Sequence, residues 1–161
     1  MRISTFLGLT ILFACLASFA ADQADSTSAF YNTQYDPAAD PSLQLAGAKI
    51  KAAETDRRIL LDIGGEWCIW CHRMDDLFRA NKDLADLLTK HYVIVKINVS
   101  KGNENTAFMA QFPKVAGYPH LFVLDANGEL VHSQETGQLE EGKGHSREKM
   151  AEFLRKWAKQ N

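Results

Sequence analysis

Apolar positions fall into short blocks whose spacing switches between helix-like and strand-like periods along the chain. Leu43, Ala46, Ile50 and Ala53 recur at helical spacing and predict a helix from about Ser42 to Thr55. Arg58 to Ile63 is an apolar run broken by one carboxylate, the pattern of a buried strand, and Gly64-Gly65-Glu66 ends it. A new element begins at Trp67-Cys68-Ile69-Trp70-Cys71-His72, and Met74, Leu77 and Phe78 carry it as a helix to Asn81. Lys82 to Lys90, with Leu84, Leu87 and Leu88, predicts a second helical stretch, and Tyr92 to Val99 alternates as a β-branched strand. Asn103 to Phe112 has room for a short helix. Leu121 to Leu124 and Glu129 to Ser133 are strands joined by Asp125-Ala126-Asn127-Gly128, whose Asn-Gly pair predicts a hairpin. Thr136 to His145 reads as a glycine-rich surface loop. Ser146 to Lys159 closes as a helix with Met150, Phe153, Leu154 and Trp157 on one face and Ser146 as its cap. Strands alternating with helices, followed by a hairpin, predict an α/β layer fold. No internal repeat is present.

Ahead of this pattern stand two stretches of another kind. Met1 and Arg2 precede an apolar run from Phe6 to Phe19, shorter than the roughly 20 apolar residues of a membrane span. It ends in Ala17-Ser18-Phe19-Ala20-Ala21 before polarity rises at Asp22, so residues 1–20 read as a secretory signal cut near Ala20. The alternatives are an uncut anchor, or lipid attachment at Cys15 in Leu12-Phe13-Ala14-Cys15. Asp22 to Pro41 lacks any period and reads as a mobile or loosely docked leader, so residues 42–161 form the folded domain.

Composition narrows the classes of function. With 161 residues, 46% hydrophobic and 24% charged, the chain is sized for one domain of ordinary soluble composition. Its formal charge of −2 and scattered cations give no track for a phosphate backbone, so nucleic acid is not an expected partner. Removing the signal leaves only Cys68 and Cys71, in a compartment where disulfides persist. As a staple the pair is poor, because so short a loop contributes only about 2 kcal/mol, against ~4.7 for a hundred-residue loop. They read as working thiols. The strand-to-helix junction puts both sulfurs at the first turn of a helix, where free amides and the dipole favour a thiolate. Cys68 is then the nucleophile and Cys71, one turn further in, the resolving thiol.

At these residues the chain resembles the thioredoxin family. Ile59-Leu60-Leu61-Asp62-Ile63-Gly64-Gly65-Glu66-Trp67-Cys68-Ile69-Trp70-Cys71 follows the family's strand and active-site segment. Val95-Lys96-Ile97-Asn98-Val99 resembles its central strand, Val115-Ala116-Gly117-Tyr118-Pro119 its cis-proline loop, and the Leu121 to Leu130 hairpin follows in order. The resemblance runs from about Leu43 to Trp157. Trp67-Cys-x-x-Cys-His72-x-Met74 is similar to a subgroup of exported or compartment-bound members with diverse roles. Ile69-Trp70 replaces the Gly-Pro, Pro-His or Gly-His found between the cysteines of better-known members, so the direction of electron flow stays open.

The resemblance implies a three-layer fold: a central mixed sheet, a C-terminal β-hairpin and flanking helices. It also implies a reversible Cys68–Cys71 disulfide. Asp62 matches the family's buried carboxylate; desolvated between Leu61 and Ile63, it suits a general base for Cys71, the alternative being a solvent-facing strand-end acid. Lys96 aligns with a lysine that pairs with that carboxylate, or else it is solvated. Pro119 is expected cis, with the Tyr118 backbone free to pair with a substrate strand. Trp67 and Trp70 are expected to form a contact surface for peptides rather than plain packing, and His72 to be a partly exposed helix residue that modestly tunes Cys71.

These residues predict an exported, periplasmic thiol–disulfide oxidoreductase leaning towards reductase work. Its partners would be disulfide-containing proteins or small thiols and a second redox protein that resets the pair, with no cofactor and no metal. A different class is a non-catalytic, chaperone-like module that holds peptides. Cys68-x-x-Cys71-His72 also fits c-type haem attachment, with Met74, Met109 or Met150 opposite His72. Zinc would need ligands beyond the two thiols, and His91, His120, His132 and His145 lack paired spacing.

Overall fold

The computed structural model describes residues 34–160. The expected signal, Cys15 and most of the leader lie outside these residues. Helix α1 spans Pro41–Thr55 and strand β1 Arg58–Gly64; α2 (Ile69–Ala80) and α3 (Lys82–His91) lead to β2 (Tyr92–Asn98). A short α4 (Thr106–Met109) precedes the β3 (His120–Leu124) and β4 (Leu130–Glu135) hairpin, and α5 (Arg147–Trp157) ends the fold. The sheet order is β2-β1-β3-β4, with β1 parallel to β2 and antiparallel to β3, and β3 antiparallel to β4. This is the expected mixed sheet.

Strand alternation sorts the side chains into two cores. Ile59, Leu61, Ile63, Val95, Ile97, Phe122 and Leu124 face α1 and α4. Leu60, Tyr92, Leu121 and Val123 face α2, α3 and α5. Three layers result, and the polar members of the second face, Asp62 on β1 and its register partner Lys96 on β2, come to lie under α2.

Helix α1 forms where expected but buries the other side. Leu43 and Ile50 are 72% and 64% exposed, while Ala48 and Ala52 are buried against the sheet with Leu45 beside them. Leu43-Ala46-Ile50-Ala53 and Pro41-Leu45-Ala48-Ala52 carry the same helical period and lie on roughly opposite sides. The alanines win because they let the helix axis approach the strands closely. Asp40 fixes the helix start, its Oδ1 accepting from the amides of Ser42 (2.7 Å) and Leu43 (3.3 Å), with Pro41 in the first turn. Asp40→Ala is expected to lower stability by about 1 kcal/mol, read from urea unfolding midpoints at unchanged slope.

The region expected as a surface loop is structured. Thr136–Leu139 is a 3-10 turn, and Glu140–Glu141 (β5) pairs with Gly144–His145 (β6) around Gly142, whose φ is 60°. Thr136, Leu139, His145 and Ser146 are buried there. Elements this short leave no period to read. Ser146 occupies the cap position of α5, but its side chain makes no capping hydrogen bond. The β3–β4 hairpin forms as expected, with Gly128 at φ 88° and Asp125 Oδ1 accepting from the amides of Asn127 and Glu129.

Candidate active site

Strand β1 delivers the chain to the sulfurs. A Cβ on Gly64 would stand 2.5 Å from Cys71 Sγ and 3.0 Å from Tyr35 Oη, and one on Gly65 would stand 2.5 Å from Trp67 Nε1. Only glycine lets the backbone pass this close to the cysteine turn. Cys68 then caps α2: its backbone is extended, and its sulfur accepts the amide N–H of Cys71 at 3.1 Å. The two sulfurs are joined in a disulfide with a Cα–Cα distance of 5.3 Å. Both cysteines are buried, Cys68 at 4% exposure and Cys71 at 0%, so Cys68 lies nearer the surface. An amide aimed at the Cys68 sulfur at a helix N-terminus stabilises negative charge there once the bond opens.

Tyr35, Cys68 and Cys71 form one buried cluster, with Trp70 and Tyr118 packed against it. Trp67 is 58% exposed, donates its indole N–H to the Val99 carbonyl (2.8 Å) and meets Tyr118 edge-on at 5.6 Å. The Tyr118–Pro119 bond is cis, and the Pro119 carbonyl accepts from Thr136 Oγ1. Beside them lies an open groove of about 370 Å³ lined in part by Gly117, Tyr118, Pro119, Thr136 and Glu140.

Asp62 is buried rather than solvent-facing, two residues before Gly64 and on the same strand face. Burial pushes its carboxyl up to about 7; the Lys96 charge and the Tyr35 hydroxyl act against that rise, and Asp75 adds to it. Lys96 is buried too, but its ammonium does not bond to Asp62. It donates to Asp75 Oδ2 at 2.5 Å, while its charge remains within reach of Asp62 across the β1–β2 register. The expected pairing is therefore redirected. Asp75 comes from α2, and its carboxyl is itself held above the usual range by burial, in spite of Lys96. The spacing Cys71, Asp75, Phe78 marks it as a member of the buried helix face, a signal hidden by the neighbouring Asp76.

His72 is held by the turn that precedes the cysteines. Its Nε2 donates to the Glu66 carbonyl at 2.8 Å, and its ring is half exposed. Met74 and Met150 belong to the core under α2 and Met109 to the opposite core, so none of the methionines weighed as haem ligands stands across from His72. Glu66 also accepts the Tyr35 amide through Oε1 at 2.8 Å, fastening the last part of the leader to the cysteine turn. The aperiodic sequence around Tyr35 hid this docking. His145 was equally hidden: buried, it stands edge-on to Trp70 at 5.7 Å, and burial together with Arg73 lowers it to about 4. It therefore stays neutral at physiological pH.

A family model described as thioredoxin-like matches residues 40–126. Disulfide bond reductase DsbH of Chlamydia pneumoniae is 28% identical over 76 residues, covering 42% of this chain and 45% of that protein, so the match spans under half the relative's length. A disulphide isomerase from Xylella fastidiosa Temecula1 superposes with a TM-score of 0.67 at 28% identity, covering 78% of this chain and 96% of that one. The oxidised C-terminal domain of DsbD from Neisseria meningitidis has the same fold, with a TM-score of 0.57 at 18% identity over 78% of this chain and 99% of its own.

Proposed function

This chain belongs to the thioredoxin-like family, and on that premise we propose that it is a thiol–disulfide oxidoreductase working as a reductase in an exported, periplasmic compartment. The observation that carries the reading is the Cys68 sulfur: it caps α2, accepts the Cys71 amide and belongs to the less buried cysteine of the pair. The Cys68 thiolate attacks a substrate disulfide and expels one substrate thiolate, leaving a mixed disulfide. Asp62 takes the Cys71 proton. The Cys71 thiolate then attacks the Cys68 sulfur, releases the second substrate thiolate and closes the Cys68–Cys71 bond. A second dithiol protein returns the pair to its reduced form.

Substrates are disulfide-containing proteins or small thiols. An extended peptide would pair with the Tyr118 backbone beside Pro119, with Trp67 and Trp70 as its apolar walls. The name of the Chlamydia relative supports the reductase direction and that of the Xylella structure an isomerase, so the potential decides. Equilibrating the pair against defined thiol buffers is expected to give a value near about −270 mV, with dithiothreitol-driven reduction of insulin; a value near about −120 mV would make the protein an oxidant.

A further inference from the structure

Tyr35 lies upstream of every feature that marks the site in the sequence, yet it is 1% exposed and belongs to one buried cluster with both cysteines. Glu66 holds its backbone, the Lys96 ammonium lies over its ring at 4.6 Å, and its hydroxyl and Cys71 Sγ both border the space a Cβ on Gly64 would fill. Among the described residues, neither Tyr35 Oη nor Asp62 Oδ1 has a hydrogen-bond partner of good geometry, although the two interact closely enough to bias each other's ionisation. Polar groups in one dry space are costly unless they partner one another, and here the hydroxyl, the carboxyl and the Cys71 sulfur are the neighbours that can do so.

Resting on the oxidoreductase reading above, we propose that Tyr35 is a positioning residue of the redox centre, its hydroxyl linking the Cys71 sulfur to the Asp62 carboxyl. In the reduced protein the hydroxyl oxygen accepts from Cys71 S–H while its own O–H donates to the Asp62 carboxylate. As Cys71 attacks, the thiol proton passes to Tyr35 Oη and the tyrosine proton to Asp62. Tyr35 ends neutral, and one proton has moved from sulfur to carboxyl without any change of oxidation state. The groups facing it are Asp62 on β1, Lys96 on β2, Cys71 and Asp75 on α2, and Glu66 in the intervening turn. Burial and the adjacent carboxylates hold the Tyr35 hydroxyl well above its ordinary range, so it remains a donor throughout.

Tyr35→Phe tests this in the full chain, because it keeps the ring and removes only the hydroxyl. A Cys68 mixed disulfide with a chromophoric aromatic thiol is formed, and release of that thiol as Cys71 closes is followed by stopped flow between pH 5 and 10. The expected result is a midpoint raised by about one pH unit and release about fivefold slower at pH 7, approaching tenfold in acid and converging with the wild type above pH 9. Fluorotyrosine at position 35 keeps the shape and strengthens the donor, so it should move the midpoint down, and this arm stands even where the phenylalanine variant folds poorly. An unchanged midpoint overturns the proposal, whether rates are equal or uniformly slower. Failure of the wild type to release the thiol at all would instead overturn the oxidoreductase reading on which it rests.

Discussion

Cys68→Ser is expected to reduce no disulfide above background and to form no covalent adduct with a disulfide substrate, whereas Cys71→Ser is expected to accumulate one. The asymmetry follows from access and charge. Cys68 carries the outer sulfur and the amide that favours its thiolate; Cys71 is sealed beneath it against Gly64 and is expected to act only after a mixed disulfide has formed. A serine at position 68 lacks a sulfur and, as an alcohol, stays protonated, so the first step has no nucleophile. A serine at position 71 leaves that step intact and removes the second, so substrate remains bound. Mass spectrometry of each variant after incubation with a disulfide-bonded protein reads both outcomes. Full client protection by Cys68→Ser in cells would overturn the enzyme reading in favour of a module that holds peptides.

Asp62→Asn should slow chemistry and strengthen the fold together. The carboxyl ionises near 7 in the folded protein against 3.8 for an ordinary aspartate, chiefly because it is buried. Below the ordinary value it is neutral in both folded and unfolded chains and costs nothing. As pH rises towards 7 the unfolded chain ionises and the folded one does not, so stability falls, and above 7 the full penalty of a buried charge is present. Neutral asparagine removes that penalty, a gain of up to roughly 4 kcal/mol at pH 8, reduced by whatever its own amide leaves unpaired. At pH 4 the two proteins should differ little. Urea midpoints at the two pH values give the comparison, and an equal difference at both would refute the account. The same variant should close its disulfide about a hundredfold more slowly at pH 7, since no base receives the Cys71 proton. Its rate should catch up only in alkali, where the buried thiol ionises unaided.

Much of this site was legible because it sits on regular elements. The run through β1 into α2 fixes the places of Asp62, Cys68 and Cys71, and the hairpin follows from Asn127-Gly128. What stayed hidden had no period or an ambiguous one. Helix α1 was recognisable, but its two stripes obey the same spacing, and only the sheet chooses between them. Lys96 was expected to pair with Asp62 or to be solvated; that α2 would bring Asp75 to it instead depends on how the helix lies over the strands. Tyr35 and His145 sit in aperiodic stretches, one before the first helix and one among glycines. Each reaches the redox centre through contacts that no local pattern encodes.

The rear wall of the sulfur pair is built from a residue upstream of position 40, where the matched region starts. Two homologues identical throughout that region could therefore differ in the acidity of the same aspartate and in the pH at which they work. Tuning would then evolve at the margin of the domain, leaving the machinery between the strands untouched.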